Sequence, residues 1–86
     1  MGIFVFKIIL LKKIKLIWDF RGPDSKETAK HHTIHLKDFT LLENLTYHEI
    51  DIQQVNEMLC FAFIIVNEID MKTFRDALKP HRGELA

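Results

Sequence analysis

Three of the five histidines, His31, His32 and His35, fall within five consecutive positions, and the turn before them, Arg21-Gly22-Pro23-Asp24-Ser25, brings a guanidinium, a glycine and a hydroxyl. If the run is helical, His31 and His35 share a face at a separation of four, and His32 and His35 nearly do at three. Two imidazoles so spaced can hold Zn²⁺, Ni²⁺ or Cu²⁺, with His48 or Cys60 as further ligands where the fold brings them near. A metalloprotease helix places glutamate directly after its first histidine; here His32 occupies that position, which argues against such an enzyme.

The turn offers different chemistry. Arg21, Gly22 and Ser25 lead into a helix N-terminus, where free backbone N–H groups and the helix dipole favour a small anion, and Arg21 can add a bidentate contact. With a single glycine it is neither a P-loop nor a dinucleotide fingerprint. His32 is also the candidate for a general acid or base, working near Asp19 or Glu68. Each reading has a structural counterpart: a polar helix with His32 hydrogen-bonded in the core and two surface histidines, preceded by an ordinary turn.

These groups need a scaffold, and the hydropathy pattern supplies one. Residues 14–20 alternate, with Ile14, Leu16, Trp18 and Phe20 on one face, as in a half-buried strand. Gly22 and Pro23 end it, and Asp24 with Glu27 forms a capping-box-like start to a helix over 25–43. On the helical wheel Ala29, His32, Leu36 and Phe39 share the inward arc, while His31 lies toward solvent and His35 on the flank. Asn44 suits a left-handed helix end. Residues 47–54 alternate again, and 58–66 are almost wholly apolar, which suits a central strand. Asp70 is read as the cap of a short helix presenting Met71, Phe74, Ala77 and Leu78, which Pro80 stops; residues 81–86 read as a tail.

The order β-α-β-β-α makes an α+β, ferredoxin-like sandwich. Its usual last strand is missing from this reading, which leaves a three-stranded sheet, one completed by the apolar residues 3–10, or one completed by a second chain. A sheet face carrying Ile17, Phe4 and Phe6 makes a homodimer the expected assembly. Both helix N-termini are expected at one end of the sheet, gathering Asp19, Arg21, Ser25, His32, Glu68 and Asp70.

Twelve basic and twelve acidic residues cancel, so no basic footprint points to nucleic acid, and none is expected as a partner. The aromatics Trp18, Phe20, Phe61 and Phe63 read as core rather than as a base-stacking platform. The apolar N-terminal run is shorter than the ~20 residues that span a bilayer, so no transmembrane segment is expected. Residues 1–11 are an extension or edge strand, and 12–86 form one domain. Cys60, the sole cysteine, excludes an intrachain disulfide and fits the cytoplasm.

The run Trp18-Asp19-Phe20-Arg21-Gly22-Pro23, the Ala29-Lys30-His31-His32 and His35-Leu36 helix, the Cys60-Phe61-Ala62 strand and the Leu78-Lys79-Pro80-His81-Arg82-Gly83 ending resemble a small family of uncharacterised bacterial proteins. The resemblance spans roughly residues 14–83 and brings no activity or catalytic residue with it. The expectation is a small cytoplasmic binding or regulatory domain with an anion or transition-metal site on the first turn and helix; the alternative is a small enzyme using His32.

Overall fold

The computed structural model describes residues 12–86. Strand β1 (Lys13–Arg21) runs into helix α1 (Ser25–Leu42), strands β2 (Glu49–Asn56) and β3 (Leu59–Asn67) form a hairpin, and helix α2 (Glu68–Leu78) leads to strand β4 (Arg82–Leu85). The four strands make one antiparallel sheet in the order β2-β3-β1-β4, a ferredoxin-like α+β arrangement. The completing strand is the stretch read as a tail: Ile14 to Ile17 of β1 pair with Leu85 to Arg82. The alternative strand over 3–10, with Phe4 and Phe6, lies outside the described residues.

Alternation along β1 and β3 builds the core. Leu16 and Trp18 meet Ile64 and Val66 under Leu36 of α1 and Phe74 of α2, all buried. Burying side chains of this size contributes roughly 1.5–3 kcal/mol each. Toward the start of α1 the facing residues are small, Ala29 against Cys60 and Ala62, which lets helix and sheet approach closely. On the opposite face of the sheet Ile17 and Phe63 are only 2% and 7% exposed. The Lys15 ammonium stands 4.3 Å from the Phe63 ring centre, and the Arg82 guanidinium 4.6 Å from that of Phe61. Two of the four aromatics thus serve a second apolar layer rather than the main core.

Helix ends depart from expectation in detail. Asp24 stands at the N-cap of α1 but makes no side-chain cap bond; its carbonyl instead accepts from both the N–H and the hydroxyl of Thr28. Asn44 is left-handed at φ 53°, as read. Helix α2 begins at Glu68 with Asn67 as N-cap, so Asp70 lies inside its first turn. Left-handed Lys79 and then Pro80 end it.

Candidate functional site

The expected gathering at one end of the sheet does not occur. Because β1 and β3 are antiparallel, Arg21 pairs with Leu59 while Lys13 pairs with Asn67. Helix α1 therefore starts at one end of the sheet and α2 at the other, with Glu68 donating its N–H to the Lys12 carbonyl. The nine residues of β1, eight steps from Lys13 to Arg21, separate the two ends by about 27 Å at strand rise. Asp19, Arg21, Ser25 and His32 remain at the end of the sheet where α1 begins, with the Asp19 carboxylate on the face opposite the helices, held by Arg82; Glu68 and Asp70 do not join them.

In the turn, Gly22 adopts φ 110°, a backbone region that side chains resist. Its N–H donates to the Met58 carbonyl at 2.8 Å, and the Ser25 N–H donates to the Gly22 carbonyl at 3.1 Å. The Ser25 hydroxyl is buried, whereas Arg21 is exposed. The backbone donors that an anion would use at Gly22 and Ser25 are thus engaged in holding the turn, while the buried Ser25 hydroxyl has no hydrogen-bond partner among the described residues.

The histidines divide into two groups. His31 and His35 lie exposed on one face of α1 with ring centres 4.6 Å apart, edge to face. His32 turns inward, its ring 4.7 Å from that of Trp18 and 5.4 Å from that of Phe20. Its Nε2 is buried and has no hydrogen-bond partner among the described residues. Burial, reinforced by the nearby His35, His81 and His31, holds its imidazole below the ordinary histidine pKa of 6.5. His32 is therefore neutral at pH 7.

His81, placed in a tail by sequence reasoning, belongs to this neighbourhood. The left-handed Lys79 and Pro80 swing the chain back along β1, where the His81 N–H donates to the Ile17 carbonyl. Its Nδ1 accepts the Asp19 N–H at 2.8 Å, so the neutral ring carries its hydrogen on Nε2. That leaves Nδ1 no proton to give the Asp19 carboxylate, 3.9 Å away. The carboxylate is held instead by Arg82 at 3.2 Å. The indole of Trp18 closes the group by donating to the Leu78 carbonyl at 2.9 Å. The spacing of His81 from the other histidines gave no sign of this; the signal lay in Pro80, which ends a helix and forces a reversal.

Chemically, the locus offers one neutral, half-buried imidazole with an enclosed Nε2, packed against two aromatic rings, two exposed imidazoles on the same helix and a fourth fixed by backbone. Among the described residues, no group of three or more His, Cys, Asp or Glu side chains is arranged to hold a metal ion, since His32 faces away from the His31 and His35 pair. His48 bonds Asn67 at 2.7 Å, and Cys60 is buried with its thiol pKa pushed up by burial. No protein-family model, curated protein or solved structure matches the chain. Among the described residues, no helix is long and apolar enough to cross a membrane.

Proposed function

We propose that this chain is a small, dimeric, cytoplasmic binding or regulatory domain whose ligand engages the imidazoles where α1 passes over Trp18 and Phe20. The observation that carries the reading is the Nε2 of His32, buried and without a hydrogen-bond partner among the described residues, packed against two aromatic rings and close to three further histidines. Leaving such an atom unsatisfied costs about 1–3 kcal/mol. A ligand that bonds to it offsets that cost, whereas an apolar side chain would avoid it altogether. Neutral imidazole is the form that accepts a hydrogen bond or coordinates a transition metal, and the exposed His31 and His35 extend the same chemistry outward. Cys60, a free buried thiol, suits a reducing compartment.

The test is a titration of the folded protein with Zn²⁺, Ni²⁺ and inorganic phosphate, following imidazole and backbone amide resonances. With either metal, shifts are expected at His31 and His35, the pair that shares a face of α1, and at His32 where the probe reaches its Nε2. Phosphate shifts at Gly22 and Ser25 would relocate the site to the turn, and silence in all three series would overturn the reading.

A further inference from the structure

The sheet ends in two edge strands of different construction. On the face opposite the helices β2 presents Glu49 and Asp51, two exposed acids, and its register with β3 shifts between Gln54 and Asn56. Charged side chains, bulges and short strands all discourage an edge from pairing. β4 is short, but its register with β1 is unbroken and its two charges are of opposite sign, so they can complement a second copy rather than repel it. Its pairing with β1 sets Arg82 and Glu84 on the face opposite the helices, and Gly83 and Leu85 on the helix face. Among the described residues its outer side pairs with no strand. Leu85 is 74% exposed and lies at the lip of an apolar groove of about 470 Å³ between α2 and β4, walled by Ile14, Leu16, Met71 and Pro80.

We propose that β4 is the edge through which two copies of this chain pair, antiparallel and with Gly83 opposite Gly83, extending the sheet across both. This rests on the dimeric part of the reading above and assigns its surface. Charge selects both occupant and register. With the helices of both copies on one face, the Gly83-centred register sets Arg82 of each copy opposite Glu84 of the other. A slip of two residues either way sets Glu84 against Glu84 or Arg82 against Arg82. Directly opposed side chains in an antiparallel pair have Cβ atoms about 4.5–5.5 Å apart, close enough for opposite charges to favour the pairing and like charges to oppose it. The same register carries the exposed Leu85 of one copy beside His81 of the other, next to Pro80 and the groove. Arg82 already bonds Asp19 and stands 3.9 Å from Glu84 within its own chain, so the second carboxylate completes a network already begun.

The experiment is sedimentation velocity on the full chain from micromolar to millimolar concentration, with amide spectra confirming the fold of each variant. The wild type is expected to dimerise, and Glu84→Arg, whose side chain makes only an exposed contact, is expected to weaken the dimer at least about tenfold by setting basic groups against each other twice. Arg82→Glu is expected to do the same with acids, and an equimolar mixture of the two variants is expected to pair again as a heterodimer. Leu85→Lys serves as a second probe of the edge should Arg82→Glu unfold. A dimer indifferent to Glu84→Arg and Leu85→Lys would overturn the β4 surface and leave the dimer intact; a wild type monomeric throughout would overturn both.

Discussion

Replacing His32 with phenylalanine separates the cost of its buried nitrogen from the packing of its ring. The variant His32→Phe keeps a ring against Trp18 and Phe20 but removes Nε2, so near pH 7.5 it is expected to be more stable by about 1 kcal/mol, a rise of roughly 4–8 °C in Tm for a domain of this size. The difference widens in acid. In the unfolded chain His32 takes up its proton around pH 6.5, while in the folded chain burial, His35, His81 and His31 delay that uptake to lower pH. Within this window the unfolded state binds more protons, so stability falls as pH falls. The slope reaches at most about 1.4 kcal/mol per pH unit for one group, and it vanishes above the window. The groups acting on His32 are the imidazoles of α1 and of the loop before β4, with no carboxylate among them to reverse the sign. Urea unfolding followed by circular dichroism at pH about 7.5 and about 5.5 measures both effects, and the difference between the two proteins reads the protonation of His32 together with its coupling to His35, His81 and His31. Parallel losses of stability in wild type and His32→Phe, or a variant weaker at both pH values, would refute the reasoning.

Three further outcomes test the scaffold. Phe74→Ala empties the position where α2 meets Phe39 and the sheet, and is expected to cost about 3–5 kcal/mol in urea unfolding. Gly22→Ala meets no atom within 4 Å, so its cost, about 1–3 kcal/mol by thermal unfolding, comes from the backbone at φ 110° alone. Trp18→Phe removes the donor to Leu78, and is expected to speed hydrogen exchange at the His81 amide more than at the centre of β3.

The parts of the fold legible in the sequence are those with long periods. The alternation of Ile14, Leu16, Trp18 and Phe20, the unbroken apolar run of β3, and the inward arc of Ala29, His32, Leu36 and Phe39 each repeat often enough to define a face. β4 escapes because Arg82-Gly83-Glu84-Leu85 gives two cycles of alternation only, one of its inward positions being a glycine with no side chain to register. The wrong end assigned to Glu68 and Asp70 has a topological cause: local sequence specifies each helix start but not the relative direction of β1 and β3. Of the candidate site, the inward turn of His32 follows from the wheel, while the arrival of His81 depends on a strand that leaves almost no pattern.

The bond between Trp18 and Leu78 gives the chain an optical reporter of its own. Trp18 is the only tryptophan, its ring lies against His32 and its N–H is anchored at the last residue of α2. Its fluorescence therefore arises from one place, where the first helix, the second helix and the central strand meet. Protonation of the imidazole beside it, entry of a ligand there, or release of the chain leading to β4 would each alter that emission. The junction can be followed by light alone, in the unmodified protein, at concentrations far below those that resonance methods require.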